Sequence, residues 1–234
     1  MSDWDADAVK VLRGAVYRGD PSIVDLVRGR LTDAVLQLAG DGLLDAVTHE
    51  VAGAAELATR CAAALTERGW HGDEELADQL NAAAGSSVTP LLRPVSVDLE
   101  ELASLMEGDL LAGGGRIDLK TGECYPDSFG YQDDDVDDDN DDQEDRWLYV
   151  QCVGSHDGYR DMELFIAALD KPEIADRLQI AVNGKGAFRR FKDVLSRWPE
   201  EFERYYLLSN ERQRGRAREW LAAEGYRAAR PTKL

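Results

Sequence analysis

The chain has 234 residues, 44% of them hydrophobic, enough to bury one large core or two small ones. Its formal net charge of −19 opposes contact between the surface as a whole and bare phosphate backbones or anionic membranes. Cys61, Cys124 and Cys152 are far apart, with no CxxC pair, which fits a reducing compartment rather than a disulfide framework.

The opening "MSDWDADAVK" is acidic and lacks the apolar core of a secretory signal, and no apolar run approaches the ~18 residues of a membrane span. The expected location is cytoplasmic. Residues 1–85 read as a helical domain, starting with a helix near Trp4 to Tyr17. In "PSIVDLVRGRLTDAVLQLAG" the residues Ile23, Leu26, Val27, Leu31, Ala34, Val35 and Leu38 make one helical stripe, with Gly40 expected to end it. "VAGAAELATRCAAALTERGW" carries Leu57, Cys61 and Leu65 on one face and stops at Gly69. "DEELADQLNAAAG" is a further helix with Asp73 expected as its N-cap. This part holds no catalytic motif and no internal repeat.

The Gly-Ser-Ser start and two prolines of "GSSVTPLLRP" predict a linker over 86–94. Beyond it the pattern becomes mixed, and residues 95–234 read as an α+β domain. "VDLEELASLMEGD" is a helix capped by Asp98. "RIDLKTGECY" alternates Ile117 and Leu119, then Glu123 and Tyr125 across Thr121-Gly122, the pattern of a hairpin. "RWLYVQCV", Arg146 to Val153, is the clearest strand.

Between hairpin and strand lies "DDDVDDDNDDQED", residues 133–145, with ten acidic residues out of thirteen. Such a run repels itself and reads as a mobile acidic loop. It is not an EF-hand: Asp133, Asp135, Asp137 and Glu144 fall at ligand spacing, but Asp138 stands where the turn needs glycine. No metal site and no cofactor is expected. From Tyr159 onward helices return: "YRDMELFIAALD" with Met162, Phe165, Ile166 and Leu169 on one side, "PEIADRLQIAV" opening on Pro172, then "GKGAFRRFKDVLSRW" and "PEEFERYYLLSNERQRGRAREWLAAEGY". The fold class is therefore α+β: a helical N-terminal domain, then a small antiparallel sheet with C-terminal helices.

"VDLEELA", "IDLKTGE", "YRDMELFI", "GKGAFRRFKDVL" and "EWLAAEGY" occur in the order found in a bacterial family. On these pieces, residues from about 95 to 228 resemble uncharacterised protein family 158 (UPF), and the helical N-terminal part looks like an extension found in actinobacterial members. The resemblance implies one folding unit. It supplies no activity and no catalytic residue.

Charge is segregated. Residues 183–234 hold 13 Lys and Arg against 7 Asp and Glu, whereas residues 1–182 hold 14 against 39. Within the basic part, Phe188, Phe191, Val194, Leu195 and Trp198 share one helical face, and Arg189, Lys192, Asp193, Ser196 and Arg197 point away from it, with Arg190 at the border. Gly184 and Gly186 admit close backbone approach at the helix start, where free N–H groups, Lys185 and Arg189 form an anion-contact candidate. The candidate site is Gly184, Lys185, Gly186, Arg189, Arg190, Lys192 and Arg197. It is neither a P-loop nor a dinucleotide fingerprint. The alternative reading is that the glycines make the turn and the arginines pair with the chain's own carboxylates.

Two further patterns are weaker. Arg212, Arg214, Arg216 and Arg218, with Trp220, combine base and aromatic as nucleic-acid surfaces do, and equally fit a solvated helix face. Ser155, His156 and Asp157 are adjacent in sequence, an arrangement that rarely makes a triad, and His156 reads as a loop histidine. The expectation is a non-enzymatic binding or regulatory protein acting through the 183–218 surface, its partner an anion, a nucleic acid or a protein, and not a membrane. One alternative is an enzyme with its site near 159–161 and 185–190. Another is an acidic loop that mimics nucleic acid and occupies a basic partner.

Overall fold

The computed structural model of the protein describes residues 4–107, 113–127 and 146–230. The acidic run 133–145, with the expectations of mobility, cation binding and mimicry attached to it, lies outside the described residues.

Five helices come first: α1 (Ala6–Arg18), α2 (Ile23–Val27), α3 (Leu36–Thr48), α4 (Ala54–Arg68) and α5 (Asp73–Ala83). Asp5 caps α1 by accepting from the Ala8 N–H at 2.8 Å, and Gly69 ends α4 in the left-handed region. The single helix expected up to Gly40 is two helices. The chain leaves α2 at Arg28 and Gly29 (φ 73°), and α3 starts at Leu36 with Gly40 inside it. Gly40 is a packing notch rather than a stop: a Cβ there would lie 2.6 Å from Leu76. Asp73 is likewise one position inside α5, with Gly72 at the N-cap.

The mixed part follows as β1 (Arg93–Val95), α6 (Leu99–Met106), β2 (Gly115–Asp118), β3 (Cys124–Pro126), β4 (Trp147–Val150), α7 (His156–Ala167), α8 (Pro172–Val182), α9 (Ala187–Leu195), α10 (Pro199–Ala223) and β5 (Tyr226–Ala228). Asp98 caps α6 by accepting from the Glu100 N–H at 2.7 Å. The expected hairpin forms, and the antiparallel sheet has the order β3-β2-β4, with Ile117 opposite both Cys124 and Leu148. The fold is α+β, as the sequence pattern implies. A second pairing was not legible: β1 and β5 run parallel, Arg93 opposite Tyr226. Three-residue strands carry too little alternation to read, and their partners here are far apart in sequence. His156 is not a loop residue but the first residue of α7.

Apolar side chains gather in three clusters. One joins α1 to α5 through Leu12, Leu36, Leu43, Leu65 and Leu80. A second joins α6 and the strands through Leu102, Ile117 and Val150. A third joins α7, α8 and α9 through Met162, Leu178, Phe191 and Leu195. The 25-residue α10, about 37 Å long at 1.5 Å per residue, belongs to all three. Leu207 packs on the first, Ala217 and Leu221 on the second, Tyr205 on the third. From Glu211 to Arg218 no residue of the helix is exposed, and this decides what its arginines can do.

Candidate partner-binding surface

The sequence of α9 sorts its residues by face, and the structure follows that sorting. Phe191 and Leu195 are fully buried, and Phe191 meets Phe165 and Tyr205 edge to face at 6.3 and 4.7 Å. Gly186 caps α9 at φ 75° and Gly184 precedes it at φ 89°, a backbone region that glycine adopts without Cβ strain. A Cβ on Gly186 would meet nothing within 4 Å, so the space before the helix start is open.

The outer face is basic and exposed: Lys185, Arg189, Arg190, Lys192 and Arg197 all face solvent. Their internal partners are few. Arg189 lies 3.8 Å from Asp193, with both side chains largely exposed, a contact worth little. Arg190 donates to the Asn183 carbonyl and so braces the glycine turn. Lys192 Nζ sits 5.7 Å from the centre of the Tyr206 ring. Lys185 and Arg197 have no ion-pair partner among the described residues. The sequence-predicted site residues therefore lie on one short helix, its entrance and, for Arg197, the turn that follows it.

The arginines of α10 behave in the opposite way. Arg212 and Arg216 both reach Asp161 of α7, which is fully buried, and Arg216 also reaches Glu107. Arg214 lies 2.7 Å from Asp41 and 3.0 Å from Glu100. Arg218, 1% exposed, donates to Gln37 at 2.8 Å and to Asp41. Glu211 accepts from the Gln37 N–H at 2.7 Å and from Arg68 at 3.0 Å, and Arg68 also pairs with Asp73 at 2.7 Å. Residues 211–218 thus leave the basic surface expected over 183–218. Their charge is neutralised inside the protein, by acids more than 40 residues away in sequence that no local pattern reveals.

These buried carboxylates differ in electrostatics. Burial raises Asp41, but Arg218 and Arg214 outweigh it and hold the group below the usual aspartate value. Burial prevails at Glu211 and keeps it above the usual glutamate value despite Arg68 and the Gln37 and Leu38 N–H groups. Burial also pushes the Cys61 thiol up to about 12, which makes it an inert core residue.

Around 159–161 two side chains are engaged internally. Asp161 is saturated by two guanidinium groups, and the Tyr159 hydroxyl donates to the Val182 carbonyl at 3.4 Å. Among the described residues no three His, Cys, Asp or Glu side chains are placed to hold a metal. No helix among them is long and apolar enough to cross a membrane.

The molecule is thus an α+β protein with a neutralised charge network around its long helix and an exposed basic helix beside it. Residues 126–233 match the model of the Uncharacterised protein family (UPF0158), and the C-terminal part of the chain resembles that family. A UPF0158 protein of Pseudomonas aeruginosa is 26% identical over 130 residues, covering 56% of this chain and 84% of the relative. No solved structure matches the chain.

Proposed function

We propose that this protein is a non-enzymatic binding or regulatory protein that engages a polyanionic partner through the outer face of α9. One contrast carries the reading. The arginines at 212, 214, 216 and 218 are all matched to internal acids, whereas Lys185, Arg189, Lys192 and Arg197 face solvent with at most one distant carboxylate among them. Among the described residues, Asp193 is the one acid that approaches these cations, and it does so at 3.8 Å from Arg189. The open helix start adds unpaired N–H groups and a positive dipole end to the same place. The three free cysteines support a cytoplasmic site of action.

Fluorescence anisotropy with a labelled single-stranded oligonucleotide tests the reading. Binding is expected at low ionic strength and should fall with salt at a log–log slope of about −2, as for roughly three neutralised phosphates. Lys185→Ala combined with Arg189→Ala should weaken it at least tenfold. Arg60→Ala, on the exposed face of α4, should not. No salt-dependent binding, or equal loss from Arg60→Ala, would overturn the assignment.

A further inference from the structure

We infer that the groove between α1 and the first half of α10 receives the bases of a single-stranded nucleic acid whose backbone lies on α9; this inference rests on the α9 reading. The groove has a volume of about 370 Å³, roughly twelve times the share of one water in the liquid, and so admits planar groups rather than a single solvent molecule. Val9 and Leu207 supply apolar wall, Phe202 and Tyr206 supply aromatic surface, and Lys10 and Arg13 stand on the α1 side. Tyr206 is 38% exposed although it packs edge to face on Phe202 at 4.8 Å. Tyr205 holds it from a second side at 6.1 Å, and an aromatic so held and open to solvent is a stacking platform for a base.

The charge around the groove favours the same occupant. Lys10 is exposed with no ion-pair partner among the described residues, and Glu203 is the one acid in the lining. Arg13 is held by Glu100 at 3.1 Å and serves as wall rather than as free charge. Lys192 links the two surfaces: it lies on the exposed side of α9 and its ammonium stands 5.7 Å from the centre of the Tyr206 ring, so one cation of α9 borders the aromatic lining. Cations beside an exposed aromatic groove match a polymer that carries a phosphate and a flat base in every unit. A helix from a protein partner would use the apolar wall but not the cation that stands beside the Tyr206 ring.

Two oligonucleotides of equal length, one with bases and one abasic, present the same phosphates and differ only in what can stack. With the full-length protein, the base-bearing strand should bind about tenfold more tightly. Tyr206→Ala should reduce it to the abasic level and leave abasic binding unchanged, and Tyr206→Phe should keep the preference. Lys185→Ala with Arg189→Ala should weaken both strands alike. Equal binding of the two strands by the unmodified protein overturns the groove assignment while leaving α9 as the contact, and leaves the groove to another class of partner. A preference that survives Tyr206→Ala in a folded variant overturns it as well. Binding of neither strand removes both proposals together.

Discussion

Arg214 in α10 lies 2.7 Å from Asp41 in α3, although 173 residues separate them along the chain. Arg218 reaches the other oxygen of the same carboxylate. Asp41 therefore holds two guanidinium groups from consecutive turns of the long helix and ties the N-terminal helices to it. Removing one partner of a buried pair leaves the others uncompensated, at a cost of about 3–5 kcal/mol. Asp41→Asn should lower unfolding stability by an amount in that range, measured by urea denaturation at neutral pH. A loss below about 1 kcal/mol would show that the network is not a tie.

The same residue gives a pH signature. The Asp41 carboxyl is held below its ordinary value of 3.8 in the folded protein. Its stabilising contribution is therefore present above 3.8 and is lost as pH falls through the lower folded value. Glu211 acts with the opposite sign. Its folded value lies above the ordinary 4.5, so it costs stability at neutral pH and that cost fades as pH falls. Between pH 5 and 3, Asp41→Asn should lose less stability than the unmodified protein, and Glu211→Gln should lose more. Parallel stability profiles for all three proteins would refute this assignment.

Gly215 and Gly72 mark where α10 crosses the turn before α5. A Cβ on Gly215 would lie 2.0 Å from the His71 carbonyl oxygen, and one on Gly72 would lie 2.1 Å from the Gly215 carbonyl oxygen. Both contacts are to backbone, which cannot swing away. Gly215→Ala gains about 1 kcal/mol of helix propensity, yet should destabilise the protein by roughly 1–3 kcal/mol through overpacking. Thermal unfolding measures the balance, and a raised melting temperature would mean that the two elements are not in contact.

Much of this architecture is legible in the residues and some is not. Apolar spacing located α1, α4, α6 and α9, and Asp98 and Gly69 marked ends correctly, because those signals are local. Gly40 misled because a glycine that admits Leu76 looks in sequence like one that ends a helix. The arginines of α10 misled for a related reason: their partners Asp41, Glu107 and Asp161 lie on three other helices or their ends. Neither reading of those residues, a nucleic-acid surface or a solvated helix face, anticipates their internal pairing; that alternative was raised for the α9 arginines, where it is the one to test. The groove beside Tyr206 had no sequence signal, since α1 and α10 lie at opposite ends of the chain.

Limited proteolysis probes the connection between the two parts. Residues 85–89 and Leu91 are exposed, Val88 at 90% and Leu91 at 102%, so cleavage is expected there. The products should stay associated under native conditions. The Glu211, Arg214 and Arg230 contacts with Gln37, Asp41 and Asp45 hold the C-terminal segment against the N-terminal helices. The fragment 1–85 alone should be markedly less stable, because Asp41, Asp73 and Arg68 lose partners or cover supplied by α10. Size-exclusion chromatography after cleavage decides this: separation into two folded species without denaturant would show independent domains.

The acidic run 133–145 supplies the last test of the α9 surface. Deleting it removes ten negative charges and moves the formal net charge from −19 to −9. A tethered polyanion competes with any external one at high effective concentration, and it also repels that ligand at long range. Both effects predict tighter oligonucleotide binding after deletion, on the order of several-fold near 50 mM salt, where the Debye length still exceeds 10 Å. The two effects separate by position. Direct competition for α9 disappears when Lys185→Ala and Arg189→Ala are added to the deletion, whereas simple repulsion persists for any remaining contact. A deletion that leaves affinity unchanged at low salt would show that the run neither covers nor shields the helix.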